Sequence, residues 1–252
     1  MSTSTSTTTA PLTGRIHSWD LSTGVDGPGT RFVLFLSGCP LRCLYCSNPD
    51  TWHMRDGRPA TVDEVMAEIE KYRPFITAAG GGVTLTGGEA LLQPQFTGEI
   101  LRRCKESGLH TALDTSGFLG ARASDALLAD TDLVLLDIKS FDIRTYRKLT
   151  GGDLAPTLTF ATRLDRLGVP VWIRYVLVPG WTDDPEAVDG LGAFLAGLGN
   201  VDRVDVLPFH RLGLPKYEAL GIPFPLRDTP APDPGLTERV REQFREHGLR
   251  AL

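Results

Sequence analysis

Cys39, Cys43 and Cys46 are three of the four cysteines in the chain, and their spacing is C-x3-C-x2-C. Thiolate is the soft ligand that selects iron–sulfur clusters, zinc or copper(I). Three thiolates on one tight loop can serve a single metal centre. A cubane cluster has four irons, so three cysteines leave one iron without a protein ligand, and bond-breaking chemistry needs such an open position. A structural zinc site with His53 as its fourth ligand uses the same residue types, and spacing alone does not separate the two. The fourth cysteine, Cys104, falls inside a helical pattern and reads as a small buried hydrophobe.

An apolar run at residues 31–36 reads as a strand buried on both faces, with the cysteine loop at its C-terminal end. Barrels and open α/β sheets place their chemistry at that end of their strands. The same arrangement recurs down the chain. Residues 83–86 form a short strand that ends on Gly87, Gly88 and Glu89, where glycines let backbone approach a ligand. The stretch LHTALDT ends on Asp114 and Thr115. The stretch DLVLLDIK puts Asp137 and Lys139 on one face of a strand end by period-two alternation, and charge placed there requires a partner. Arg174 sits among apolar residues of PVWIRYVLV, and His210 follows VDRVDVLPF.

Helices fill the intervals. Thr61 and Glu64 make a capping-box pattern at the head of a helix over 61–75, with Val62, Val65, Met66 and Ile69 on one face. Further helices are expected over 94–108, 124–129, 142–150, 155–168, 184–198 and 236–248. Six strands alternating with helices predict a parallel sheet with right-handed crossovers. Residues 1–13 are a Ser/Thr-rich tail with too little apolar surface to order. Residues 16–30 lead into the first strand through a turn at Asp26, and the proline-rich residues 221–235 are expected to wrap the surface irregularly. The organisation is thus a disordered tail, 1–13, and one domain, 14–252.

With 252 residues, 41% of them hydrophobic and 23% charged, the chain can build a core without disulfides. Clustered cysteines then read as reduced thiols of a cytoplasmic protein. No apolar run reaches membrane-spanning length, and the N-terminus lacks a signal-peptide pattern. A net charge of −5 with no basic block argues against a nucleic-acid partner. A monomer is the expected state.

The motif C-x3-C-x2-C, with Tyr45 before the third cysteine, resembles that of the radical S-adenosylmethionine (radical SAM) enzymes. The longer string CPLRCLYCSNPDTW, the preceding VDGPGTR and the later LPFH and KYEALG resemble the pyruvate formate-lyase activating enzymes within that superfamily. The resemblance covers nearly everything after the tail. It implies a partial (β/α)6 barrel of parallel strands with outer helices, open on one side, so that a polypeptide loop can enter laterally. Cys39, Cys43 and Cys46 would hold a [4Fe-4S] cluster. The open iron would chelate the amino and carboxylate groups of S-adenosylmethionine (SAM). Gly88 and Glu89 would lie at the amino end of its methionine, and Tyr45, Cys46 and Ser47 toward its adenine. Asp137, Ile138, Lys139, Arg174 and His210 would complete the SAM site. Asp114, Thr115, the Leu135 carbonyl and Asp137 would hold a monovalent cation, and Asp26 would lie where substrate polypeptide enters.

The implied reaction is reductive cleavage of SAM to methionine and a 5′-deoxyadenosyl radical, which takes a Cα hydrogen from a glycine of a partner enzyme. That partner is pyruvate formate-lyase or a relative, which implies a place in glucose metabolism. A flavodoxin or ferredoxin would supply the electron. No side-chain general base is required, because the cofactors carry the hard chemistry. Many activases of other glycyl-radical enzymes carry extra cysteines before the GGE motif, and this chain has none there. Activation of another glycyl-radical enzyme, radical chemistry on a small molecule, and a zinc-binding interaction module are the alternatives.

Overall fold

The computed structural model describes residues 10–252. Of the tail expected at 1–13, residues 1–9 lie outside the described residues, and ordered structure has already begun at Thr13. Eight strands form one sheet: β1 (Thr13–Thr23), β2 (Thr30–Leu36), β3 (Arg58–Thr61), β4 (Gly82–Gly87), β5 (His110–Thr115), β6 (Leu133–Asp137), β7 (Val171–Leu177) and β8 (Val201–Pro208). Their order is β3-β1-β2-β4-β5-β6-β7-β8. From β2 to β8 every pairing is parallel. The terminal strands β3 and β8 do not pair with each other, so the barrel is partial.

The six parallel strands are those expected from the apolar runs. The two additional strands correct that expectation. β1 occupies most of the segment expected to be a plain lead-in, and it pairs antiparallel with both β2 and β3. Its sequence, TGRIHSWDLST, lacks a continuous apolar run because most of the strand is only half-buried. β3 has four residues, RPAT, and Pro59 removes a ladder donor from the outermost strand.

The helices are α1 (Val62–Ala78), α2 (Pro94–Glu106), α3 (Asp125–Ala129), α4 (Ile143–Thr150), α5 (Ala155–Leu167), α6 (Pro185–Ala196), α7 (Leu214–Leu220) and α8 (Pro234–Glu246). α7 was not expected from periodicity; it has seven residues and carries Pro215 in its first turn. The capping box at α1 is complete. The Glu64 N–H donates to Thr61 Oγ1 at 3.1 Å, and the Thr61 N–H donates to Glu64 Oε2 at 2.6 Å. Val62, Val65, Met66 and Ile69 are buried beneath it, so Met66 is core.

Strand alternation divides the interior in two. Outward-facing Leu113, Val134, Leu136, Ile173 and Tyr175 join the helices in one continuous core. Inward-facing Ala112, Leu133 and Leu135 pack with Trp172 inside the barrel. Beneath that layer Arg31 is wholly buried. It donates to Thr84 Oγ1 at 3.0 Å and to the Val83 carbonyl at 2.5 Å, and it meets His110 Nδ1 at 3.1 Å. Burial lowers its pKa to about 10, with the carboxylates of Asp132 and Asp26 opposing. At the other edge, residues 250–252 run along β8, where Val204 and Val206 donate to the Arg250 and Leu252 carbonyls at 2.9 and 3.1 Å. Replacing Thr61 with Ala removes the α1 cap, and urea unfolding should show a loss of about 1 kcal/mol.

Candidate active site

β2 delivers the cysteine loop through Gly38, whose φ of +98 lies in the region favouring glycine. The loop closes on itself. The Gly38 N–H donates to the Thr51 carbonyl at 2.7 Å, and the Cys39 N–H to the Trp52 carbonyl at 3.0 Å. Its middle rests on the C-terminal end of α4, where the Arg42 and Leu44 N–H groups donate to the Thr150 and Leu149 carbonyls at 2.8 and 2.9 Å. Those carbonyls belong to the last helical turn and need outside donors. The exit of β4 locks in from the other side, with the Gly88 N–H donating to Leu36 and the Glu89 N–H to Gly38, both at 2.8 Å. A Cβ on Gly88 would stand 2.3 Å from the Gly38 carbonyl oxygen, and one on Gly87 would stand 2.2 Å from the Leu36 backbone. The paired glycines therefore serve first to let two backbones touch.

Cys39, Cys43 and Cys46 are free thiols that face one cavity of about 390 Å³. Tyr45, Ser47, Gly88, Asp114, Thr115, Asp137, Lys139, Arg174 and His210 line the same cavity. The chain thus brings to one place residues from the ends of six strands and their loops. Glu89, Leu135 and Ile138 are not among its lining side chains. Leu135 and Ile138 are wholly buried. The Glu89 carboxylate, 2% exposed, is spent as a brace. It accepts from the Leu91 N–H at 3.0 Å, Thr115 Oγ1 at 2.7 Å, the Ser116 N–H at 3.1 Å and Ser116 Oγ at 2.5 Å. It joins the exit of β4 to that of β5.

The cavity floor is a charge network. Asp114 Oδ2 accepts from Thr86 Oγ1 at 2.6 Å and from Arg174 Nη1 at 3.3 Å. Arg174 Nη1 also stands 3.7 Å from Asp26 Oδ1. The other Asp114 oxygen, Oδ1, is buried without a partner. Burial pushes the Asp114 carboxyl up to about 6, against the pull of Arg174, and the nearby Asp137 adds to the rise. Asp137 and Lys139 pair at 2.8 Å, and the Lys139 ammonium stands 5.7 Å from the centre of the Tyr45 ring. Burial works against that ammonium, yet Asp137 holds its pKa well above the ordinary lysine value. Three carboxylates against two cations leave the floor net negative, suited to a cationic ligand.

Burial also pushes the Cys39 and Cys43 thiols up to about 12 and raises Cys46. Such thiols become thiolates by exchanging their protons for a metal. The donor set fits a cluster. Three soft sulfur donors face one cavity, and each takes its own iron in a cubane. His53 is exposed and lies off the cavity, so it does not complete a zinc set. Among the described residues, no three or more His, Cys, Asp or Glu gather as for a single ion.

Sequence reasoning missed Thr86 and Ser116, which donate to Asp114 Oδ2 and to the Glu89 carboxylate. Thr86 was legible in part, since alternation in GVTLTG puts Thr84 and Thr86 on the face opposite Val83 and Leu85. Nothing local marks Ser116.

Residues 33–189 match the Radical SAM superfamily. The chain is 44% identical over 241 residues to the pyruvate formate-lyase 1-activating enzyme of Escherichia coli K12, covering 95% of this chain and 98% of that one. It is 46% identical over 241 residues to the pyruvate formate-lyase-activating enzyme of Staphylococcus epidermidis, covering 93% and 95%. Among solved structures, a domain of pyruvate formate-lyase-activating enzyme from Bacteroides vulgatus superposes with a TM-score of 0.58 at 26% identity, over 68% of this chain and 98% of that one. QueE from Escherichia coli shares the fold, with a TM-score of 0.57 at 16% identity over 95% and 92%.

The raised Asp114 carboxyl predicts a pH signature. A folded-state pKa above the unfolded value favours the native state at low pH, and that contribution is lost as pH rises through about 6. Urea unfolding of the metal-free protein from pH 4 to 7, without small monovalent metal ions, should show wild type losing stability relative to Asp114→Asn as pH rises.

Proposed function

The chain belongs to the radical SAM superfamily and, within it, to the pyruvate formate-lyase activating enzymes, and on that premise we propose that it activates a glycyl-radical enzyme, pyruvate formate-lyase itself. When bound, the [4Fe-4S] cluster supplies the electron that cleaves SAM reductively, and the 5′-deoxyadenosyl radical so released takes a Cα hydrogen from one glycine of that partner. The observation that carries the proposal is the single cavity onto which three thiols open together with Asp114, Asp137, Lys139, Arg174 and His210.

Cys39, Cys43 and Cys46 hold the cluster. Lys139, kept charged by Asp137, is placed to meet the carboxylate or ribose of SAM. The His210 ring accepts the Leu212 N–H through Nδ1 at 3.3 Å, which leaves Nε2 to carry the proton and donate. Tyr45 and Ser47 flank the third cysteine on the adenine side. Gly88 lines the amino end, while Glu89 acts there by holding the turn rather than by contact. A monovalent cation at Asp114, with Thr115, Asp137 and the Leu135 carbonyl, would give the unpartnered Asp114 Oδ1 its missing partner. Val25, 59% exposed on the cavity rim, and the neighbouring Asp26 border the open side where a glycine loop enters. The chain is proposed to work as a cytoplasmic monomer in glucose metabolism, reduced by a flavodoxin or ferredoxin.

The test uses anaerobic protein reconstituted with iron and sulfide, then reduced and given SAM. About four irons per chain and 5′-deoxyadenosine on chromatography are expected, with radical transfer to pyruvate formate-lyase but not to a version whose reactive glycine is alanine. Cys43→Ala should lose iron and SAM cleavage together. Lys139→Ala and His210→Ala should keep iron but weaken SAM binding about tenfold or more, as loss of a hydrogen bond to a charged group does. One retained zinc with SAM intact would overturn the assignment.

A further inference from the structure

The turn between β1 and β2, residues 24–29, precedes the strand that delivers the cysteine loop, so it starts from the opposite end of the barrel. It nevertheless folds inward. Val25 lines the cavity that the three thiols face, and Asp26 Oδ1 stands 3.7 Å from Arg174 Nη1. One backbone bond closes the turn on itself, from the Gly24 N–H to the Gly29 carbonyl at 3.2 Å. That is little to hold a turn whose ladder ends at Thr23 and Thr30. The tie that sets its depth comes from inside the barrel, where Thr84 Oγ1 on β4 donates to the Asp26 carbonyl at 2.6 Å.

Thr84 is wholly buried. A threonine hydroxyl has one proton and rotates to suit its neighbours. Here a neighbour fixes it. Arg31 Nε, which can only donate, points at Thr84 Oγ1 from 3.0 Å. The Thr84 oxygen therefore accepts from Arg31, and its proton is directed to Asp26. Arg31 is held in turn by the Val83 and His110 carbonyls, to which Nη2 donates at 2.5 and 3.3 Å, and by His110 Nδ1, 3.1 Å from Nη1. Its hydrogen bonds thus all go to uncharged groups. Burying a charge without a hydrogen-bonded carboxylate is costly, so what Arg31 orients explains it better than any stability it adds. The turn also rests on this guanidinium directly, since a Cβ on Gly27 would stand 3.2 Å from Nε. Thr86, on the same face of β4, holds Asp114 on the cavity floor. One strand face thus sets both the floor of the cavity and the wall beside it.

We propose that Thr84, oriented by Arg31, is a positioning residue for the protein substrate. It fixes the depth of the 24–29 turn, and with it the width of the space through which a polypeptide loop reaches the cavity. Val25, 59% exposed at the rim, is the side chain of that turn which such a loop meets. Thr84 and Arg31 do not themselves line the cavity, so SAM binding does not need them. The proposal rests on the reading that the chain acts on a glycine of a partner enzyme.

The experiment compares wild type with Thr84→Val, which removes the hydroxyl, and Thr84→Ser, which keeps it. Two quantities are read. The first is activation of pyruvate formate-lyase by the reconstituted enzyme, with 5′-deoxyadenosine release in the absence of that partner as the reference. Thr84→Val should raise KM for pyruvate formate-lyase about three- to tenfold, the worth of one hydrogen bond. Its kcat and its release of 5′-deoxyadenosine without partner should stay at the wild-type level, and Thr84→Ser should restore KM. The second is amide exchange across residues 24–29 in the metal-free protein, where local opening breaks the Gly24 bond. Exchange there should quicken in Thr84→Val and not in Thr84→Ser. Wild-type KM and wild-type exchange in Thr84→Val overturn the proposal. Equal losses of kcat and of partner-free SAM cleavage overturn it too, because they assign Thr84 to the cofactor site. If Thr84→Val does not fold, Thr84→Cys takes its place, since a thiol is a weak donor and a weak acceptor. A wild-type enzyme that cleaves SAM but does not activate pyruvate formate-lyase overturns the reading of the partner instead.

Discussion

Two backbones touch at Gly38 and Gly88, and the site depends on that contact. The Glu89 N–H reaches the Gly38 carbonyl, while the Gly88 N–H reaches Leu36. No side chain fits between them. Because β2 and β4 are parallel neighbours, their exits lie side by side, and the cysteine loop is tied to the next strand at its root. The Glu89 carboxylate extends the same tie to β5 through Thr115 and Ser116. Three consecutive strand ends are thereby held as one rigid rim, and preorganisation of this kind lets a site act on a cofactor without rearranging.

The interior above the apolar layer is unusually charged for a space so enclosed. Asp26, Asp114, Asp137, Lys139 and Arg174 are each less than one-fifth exposed. Buried charge is tolerated when it is paired, and each of these five groups faces an opposite charge, although one oxygen does not. The exception is Asp114 Oδ1. A fold that needed these residues only for stability would do as well with apolar ones of similar volume. Their retention inside a barrel therefore marks the space as a binding site.

How much was legible in the sequence follows from how far each signal is local. The parallel strands announced themselves as apolar runs ending in polar residues, because both faces of such strands are buried and only their tips meet the cavity. The α1 cap was legible because both partners lie within one turn. β1 was not, since a half-exposed strand carries neither a clean alternation nor a continuous run, and β3 and α7 are too short for periodicity to show. Glu89 was expected to face the ligand. That its carboxylate instead braces β5 depends on Thr115 and Ser116, which are distant in sequence and become neighbours only through the parallel pairing of β4 and β5.

Arg174 is divided between two carboxylates, Asp114 on the cavity floor and Asp26 on the hairpin turn beside the open side. The same nitrogen, Nη1, faces both, at 3.3 Å from Asp114 and 3.7 Å from Asp26. A group that occupies the floor and draws Asp114 toward itself leaves the arginine freer to hold Asp26, and a turn drawn inward by Arg174 makes the floor readier for that group. Thermodynamic reciprocity requires the two effects to be equal in free energy. Whatever binds at Asp114 on the floor is therefore linked through the Arg174 side chain to the turn that carries Asp26.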